Sequence, residues 1–142
     1  MDDPFDLERF ARAQDPVMVD VQRELQTGRK RTHWMWFVFP QLRALGRSSM
    51  AHRYGIASLA EARAYIAHPL LGPRLMECTG LVCAVQHRSA YEIFGGPDDL
   101  KLRSSMTLFA AARPEVTVFA DVLRQYFEGK ADERTTELLT AG

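Results

Sequence analysis

The residues best suited to chemistry in this chain form a nine-residue aromatic run, HWMWFVFPQ, from His33 to Gln41. Both tryptophans of the protein, Trp34 and Trp36, lie in it, and a basic cluster (Arg-Lys-Arg, 29–31) stands just before it. A tryptophan can stack on a nucleobase or a nicotinamide, and the arginines can bind phosphates. His33 is a candidate general acid or base, and Trp34, Trp36 and Gln41 are candidate ligand-binding residues. The same pattern also fits a core segment beside a solvated loop.

A second group of candidates lies in the segment DDLKLRSSMT, residues 98–107. On a helix, Lys101, Ser104 and Ser105 share one side at intervals of three and four. An amine beside a serine can activate the hydroxyl or hold an anion, and an aspartate can act as general base or bind a ribose. The alternative is helix capping, surface ion pairs and small serines at a helix contact. The predicted catalytic residues are Asp99, Lys101 and His33, and Ser104, Ser105 and Thr107 join the predicted ligand-binding set.

A third candidate is the turn formed by Gly46, Arg47, Ser48 and Ser49. A glycine followed by hydroxyls before a helix can hold a phosphate with backbone amides and an arginine, which makes Arg47 and Ser48 candidate ligand-binding residues. The alternative is an ordinary turn followed by an N-cap.

No metal or cofactor is predicted. The four histidines are scattered and form none of the spacings typical of metal sites. Cys78 and Cys83 would lie about 140° apart on a helix, so they are not expected to pair. In an apolar stretch, a free cysteine behaves as a small hydrophobe.

The chain length of 142 residues favours one domain, residues 1–142. Lysine plus arginine and aspartate plus glutamate number 18 each, so the formal net charge is zero. This balance argues against a protein that coats nucleic acid. No apolar run approaches the roughly 20 residues that span a bilayer, and no secretory signal opens the chain. A cytoplasmic setting is therefore expected.

Helix signals run through the whole chain, and no segment reads clearly as a strand. Pro40 is expected to break or restart a helix, and glycines at 28 and 129 to end two others. We predict an all-α fold: one compact domain of about seven or eight short helices in an irregular orthogonal array. The expected helix caps are Asp6, Thr32 and Asp132, with capping boxes at Ser58–Glu61 and Ser89–Glu92.

The order of these motifs resembles the bacterial domain of unknown function 1810 (DUF1810) family. The resemblance rests on the aromatic run, on HPLLGPRL at 68–75, on IFG at 93–95, and on DDLKL and SSMTLF between 98 and 109. It extends from about Asp6 to Leu139. It implies a mainly α-helical fold and assigns no activity.

Two functional hypotheses follow. In the first, the protein is a binder or enzyme for an anionic, nucleotide-like or ADP-ribose-like molecule, with the aromatic run and the Lys101 helix meeting in one cleft. In the second, it is a non-enzymatic interaction module or homodimeric adaptor, in which Trp36 and Met35 form an exposed apolar patch. Because two tryptophans two positions apart do not easily both face inward, one of them is expected to border a groove or an interface.

Overall fold

The structure is a computed structural model that describes residues 2–141, and within that range it contains ten α-helices, one 3-10 turn and no β-strand. The all-α prediction is confirmed. The helices are α1 Glu8–Gln14, α2 Met18–Gln26, α3 Met35–Val38, α4 Ser49–Tyr54, α5 Leu59–Ala67, α6 Leu71–Ala84, α7 Ala90–Phe94, α8 Asp98–Ala112, α9 Val118–Phe127 and α10 Glu133–Ala141, with the 3-10 turn at Arg43–Leu45.

The count exceeds the predicted seven or eight because two very short helices flank Pro40. Helix α3 has four residues and ends before Pro40, as that proline predicts. Helix α4 has six residues and starts where the Ser48 hydroxyl accepts a hydrogen bond from the Ala51 N–H at 3.1 Å. Helices this short show too little periodicity to be predicted from apolar spacing, and only a cap or a proline can indicate them.

The segment between these two short helices is tied together by an isolated parallel bridge between Leu42 and Ile56. The Ile56 N–H donates to the Gln41 carbonyl, and the Arg43 N–H donates to the Ile56 carbonyl, both at 2.9 Å. This bridge fixes the chain on either side of α4. As for membrane insertion, the described helices include none whose length and apolar character would allow it to cross a bilayer.

Helix α8 lies at the centre of the fold and packs against α5, α7, α9 and α10. Its residues 104–109 are all buried, so several faces of the helix are covered. This explains the serines and threonine among them, since small side chains allow neighbouring helices to approach. Phe109 contacts both Tyr65 of α5 and Phe119 of α9, at ring-centroid distances of 5.4 and 5.7 Å.

Two of the predicted caps are confirmed in full. Ser89 and Glu92 form a reciprocal capping box at the start of α7. Asp132 begins α10, where its carboxylate accepts hydrogen bonds from the Thr135 N–H and hydroxyl at 2.9 and 2.6 Å. These are local sequence signals, and local backbone geometry satisfies them.

Three of the predicted caps are wrong or incomplete, because the side chains involved make other contacts or another residue caps the helix. Asp3, not Asp6, accepts hydrogen bonds from the first N–H groups of α1. Thr32 does not cap α3, since its hydroxyl donates to Glu24 at 2.7 Å. At Ser58 only half of the box forms, because the Glu61 side chain turns to the Ala57 N–H and to Arg9.

Candidate functional site

The aromatic run is mostly core, and Trp34 lies deepest in it. Its side chain is 1% exposed, and its indole Nε1–H donates to the Glu24 carboxylate at 3.0 Å. Its ring meets Phe94 edge to face. Trp34 therefore has no face free for a ligand, and the stacking role predicted for it is corrected. Trp34 itself precedes α3, which begins at Met35.

Trp36 is the tryptophan that borders the surface, and the Lys101 helix does meet the aromatic run there. Lys101 Nζ lies 4.9 Å from the centroid of the Trp36 ring. Both residues line a small hollow with Gln41 and Tyr54. Its volume is about 10 Å³, which is at the lower limit for one water molecule and far too small for a nucleotide. Trp36 Nε1 is buried and has no hydrogen-bond partner among residues 2–141.

The predicted acid–base residues do not gather at this hollow. His33 is exposed and lies outside its lining. Asp99 accepts a hydrogen bond from the N–H of its neighbour Leu100 at 2.9 Å. The neighbouring Asp98 lies 2.9 Å from Lys30 Nζ and 3.7 Å from Lys101 Nζ, so the Lys101 amine faces a carboxylate rather than a serine.

The hydroxyl residues of α8 serve packing and local hydrogen bonds. Ser104 donates to the Leu100 carbonyl at 3.2 Å, and Ser105 is completely buried without a partner among the described residues. Thr107 donates to the Arg103 carbonyl and accepts from the Asp132 N–H, at 2.8 and 2.9 Å. Within the described part of the chain no hydrogen bond joins Lys101 to a serine, so the predicted amine-activated nucleophile does not form.

The turn at 46–49 has its ordinary structural role. Ser48 caps α4, while Arg47 is exposed and makes no ion pair with any described residue. Gly46 is required here because a Cβ would collide with that of Ala51. The turn therefore presents a capped helix of only six residues, not a phosphate loop.

The cysteines are free thiols, as expected from their spacing. Burial raises the pKa of Cys78 to about 12, and it also raises the pKa of Cys83. A thiol with a raised pKa is a poor nucleophile and a poor metal ligand. Between residues 2 and 141, no three His, Cys, Asp or Glu side chains are grouped as a metal site would need.

A large cleft lies instead between α1 and α4. Its volume is about 610 Å³. We call it the α1–α4 cleft, and its lining consists of Phe5, Asp6, Arg9, Arg12, Ala13, Arg43, His52, Arg53 and Tyr54. Four guanidinium groups and the Asp6 carboxylate lie in this lining. Two of the four, Arg9 and Arg12, have acidic partners outside the lining.

Arg9 lines this cleft, and several contacts hold its side chain in place. Its Nη2 atom lies 2.8 Å from the Glu61 carboxylate, and both side chains are buried. Its other donors go to the backbone carbonyls of Arg53, Gly55 and Phe5 at 2.6–3.0 Å. This network ties α1 to the end of α4, but it leaves Arg9 few donors for a ligand.

Arg43 and Arg53 are the available cations. Neither pairs with a carboxylate among the described residues. Arg43 makes one long hydrogen bond, to the Gly55 carbonyl at 3.4 Å, and its buried Nε–H has no partner there. The Arg53 guanidinium lies 5.4 Å from the centroid of the Tyr54 ring. The Arg12 side chain is 80% exposed and lies 3.8 Å from the Glu8 carboxylate, which makes a weak surface contact.

Sequence reasoning did not identify any residue of this cleft. Its cations come from three separate segments, at 9–12, 43 and 52–53, which only the tertiary fold brings together. The one local signal is the pair His52-Arg53, which is too short to form a motif.

The fold and this cleft define an all-α protein with a compact core and a basic surface cleft. Residues 4–139 match the family described as Protein of unknown function (DUF1810), and the chain belongs to that family. The fold is also similar to the crystal structure of the conserved hypothetical protein Rv1873 from Mycobacterium tuberculosis, with 63% sequence identity and a TM-score of 0.96. That similarity covers 97% of this chain and 99% of the other. Among curated proteins, no match to the chain is found.

Proposed function

We propose that this protein binds an anionic small molecule of nucleotide size in the α1–α4 cleft. The observation that carries the proposal is that Arg43 and Arg53 line one cleft and have no carboxylate partner among the described residues, in a chain whose formal net charge is zero. A guanidinium group with no carboxylate partner in the protein can bind a phosphate or carboxylate through two parallel, charge-assisted hydrogen bonds.

The size and lining of the cleft indicate the class of ligand. Its volume of about 610 Å³ falls within the range of roughly 300–1,000 Å³ that is typical of small-molecule sites. Phe5, which is partly exposed, adds aromatic surface beside Arg43 and Arg53, and the edge of the buried Tyr54 reaches the lining. A molecule with a phosphate at one end and a planar or apolar group at the other fits this combination, as a nucleotide or ADP-ribose does.

His52 is the residue of the α1–α4 cleft that is suited to acid–base catalysis. An imidazole is the side chain that most often acts as general acid or base, and His52 lines the cleft beside the arginines. If the bound molecule is also converted, replacing His52 by Gln should lower turnover while leaving affinity nearly unchanged.

The test is a thermal-shift screen against AMP, NAD, ADP-ribose, a sugar phosphate and inorganic phosphate, followed by calorimetry on each hit. A ligand present at 100 times its Kd should stabilise the fold by about 2.7 kcal/mol. Arg43→Gln and Arg53→Gln should each weaken binding at least about tenfold, as expected for loss of a charged hydrogen-bond partner.

Arg47→Gln is the matched control, because Arg47 is an exposed arginine outside the cleft lining. It should leave affinity unchanged. A hit that all three variants weaken equally would indicate only general charge attraction. No shift with any of the ligands would count against the proposal.

The alternative, an interaction module built on Trp36 and Met35, loses its expected surface. Met35 is 1% exposed and Trp36 is partly buried, so the two do not form an apolar patch. A homodimer formed through another surface stays a prediction, which sedimentation velocity over a range of concentrations tests.

A further inference from the structure

A second basic cleft lies on the segments that follow α2 and α6, and its volume is about 660 Å³. We call it the Arg88 cleft. Its lining contains no aromatic side chain and consists of Asp20, Arg23, Glu24, Thr27, Arg29, Arg31, Thr32 and Arg88.

Arg29 and Arg31 enter this cleft because Lys30 between them turns the other way. The Lys30 side chain is 6% exposed, and its Nζ lies 2.9 Å from Asp98 and 5.0 Å from the centroid of the Trp34 ring. Alternation of neighbouring side chains between two faces is the property of an extended segment. One cation is therefore used inside the fold, and the two beside it remain at the surface.

The backbone that carries these arginines is held in place. The Lys30 N–H donates to the Ile93 carbonyl at 2.7 Å. The N–H groups of Arg31 and Thr32 both donate to Glu24 Oε1, at 2.7 and 3.0 Å. A loop ordered before binding loses less conformational entropy when a ligand arrives.

Arg88 approaches from the other side of the cleft. Gly28 has φ +72°, and a Cβ built on it would lie 3.4 Å from Cδ of Arg88, so the Arg88 stem passes close over the glycine backbone. The Arg88 side chain is thereby placed beside the loop that carries Arg29.

The donors left free in this cleft belong to guanidinium groups. Arg23 pairs with Asp20 at 3.5 Å, whereas Arg29, Arg31 and Arg88 have no carboxylate within ion-pair distance in the described part of the chain. The hydroxyl groups are already used as donors: Thr27 to backbone carbonyls, and Thr32 to Glu24.

We infer that the Arg88 cleft binds a ligand with two or more phosphoryl groups through Arg29, Arg31 and Arg88. Three unpaired guanidinium groups match several anionic oxygens. With no aromatic side chain and no unused neutral donor in the lining, the cleft recognises the phosphates and not a base or sugar. This distinguishes it from the α1–α4 cleft, and the inference does not depend on the function proposed there.

The test is isothermal calorimetry of the whole protein with tripolyphosphate, pyrophosphate and orthophosphate. We expect tripolyphosphate to bind at least about tenfold more tightly than orthophosphate, with an affinity that falls as salt is raised. Arg88→Gln and Arg31→Gln should each weaken tripolyphosphate binding at least fivefold, and Arg88→Lys should restore part of the loss because it keeps the charge. Arg47→Gln, which changes an exposed arginine outside both clefts, should leave it unchanged. Thermal melts show whether each variant is folded.

Two comparisons can overturn the inference. If tripolyphosphate does not bind at millimolar concentration, the Arg88 cleft is not a phosphate site. The same conclusion follows if tripolyphosphate binds equally well to Arg88→Gln and to the wild type. In the double variant Arg43→Gln/Arg53→Gln, in which the α1–α4 cleft has lost both available cations, ADP should bind about as well as pyrophosphate. A much tighter binding of ADP in that variant would mean that the cleft recognises more than phosphates.

Discussion

Glu24 of α2 holds the indole of Trp34 by a hydrogen bond of 3.0 Å, and the same carboxylate accepts from the Arg31 N–H and from the N–H and hydroxyl of Thr32. One buried acid thus orders both the aromatic run and the basic loop beside it. Burial alone would raise the pKa of Glu24, but these hydrogen bonds outweigh it and hold that pKa below its usual range.

Replacement of Glu24 by Gln should lower the free energy of unfolding by about 2–4 kcal/mol, because charge-assisted hydrogen bonds are lost and an amide NH2 meets donors. Urea unfolding measures the loss. Glu128→Gln serves as control, since the Glu128 side chain is 84% exposed and its replacement should change the value by less than about 0.5 kcal/mol. An equal effect of the two changes would contradict the role of Glu24.

The lowered pKa of Glu24 also predicts a dependence on pH. Its contribution to stability is present above the pKa of a free glutamate, about 4.3, and is lost as pH falls through the lower pKa of the folded state. The wild type should therefore lose more stability than Glu24→Gln between about pH 5 and pH 3, a range that includes the pKa of a free glutamate. Denaturant midpoints of both proteins across this range provide the measurement.

The buried ion pair of Arg9 and Glu61 should be among the most sensitive positions in the chain. Arg9→Gln leaves the Glu61 carboxylate buried without its cation, at a cost of about 3–5 kcal/mol. Arg12→Gln, on the same helix, breaks only an exposed contact and should cost less than about 0.5 kcal/mol. Thermal melts of both variants compare the two, and similar melting temperatures would contradict the assignment.

Two glycines of α6 should respond oppositely to alanine. A Cβ on Gly72 would collide with the backbone carbonyl of Ile66, so Gly72→Ala should destabilise the protein by at least about 2 kcal/mol. At Gly80 nothing lies within 4 Å of an added Cβ, and Gly80→Ala should stabilise it by about 0.5–1 kcal/mol because alanine is the better helix former. Chemical denaturation of the pair is the test, and a loss of stability in both variants would contradict it.

Two tyrosines should titrate late. Burial raises the pKa of Tyr126 to about 12, and burial raises that of Tyr65 further. The Tyr65 hydroxyl lies between Gln14 and the Phe37 carbonyl, at 2.9 and 3.3 Å. A raised pKa means that the contribution of each group is complete below the ordinary value near about 10 and is lost as pH rises above it. Absorbance at 295 nm should show a part of the tyrosine signal that appears only at strongly alkaline pH, and Tyr65→Phe should reduce that part.

The fold could be predicted from local signals, whereas the clefts could not. Helices α7 and α10, for example, are predicted by the capping box of Ser89 and Glu92 and by the cap at Asp132, because capping is decided within a few residues. The ligand-stacking role predicted for Trp34 is wrong, because its indole is hydrogen-bonded to Glu24, which is ten positions away on α2. The α1–α4 cleft could not be predicted for the same reason. The packing of α1 beside α4 and the bridge at Leu42 bring Arg9, Arg43 and Arg53 together, and no spacing along the chain indicates that packing.

The central position of α8 has a consequence for motion. Its neighbours α5, α7, α9 and α10 cover it, whereas α1 and α4 pack chiefly against α3 and the 3-10 turn at the periphery. Amide hydrogens deep in α8 should therefore exchange only when the whole molecule unfolds, and those of α1 and α4 through smaller local openings. A ligand that bridges α1 and α4 would close those openings. Its arrival should then slow deuterium uptake at this edge of the molecule first. Because the ligand also stabilises the whole fold, the already slow uptake in α8 should slow as well.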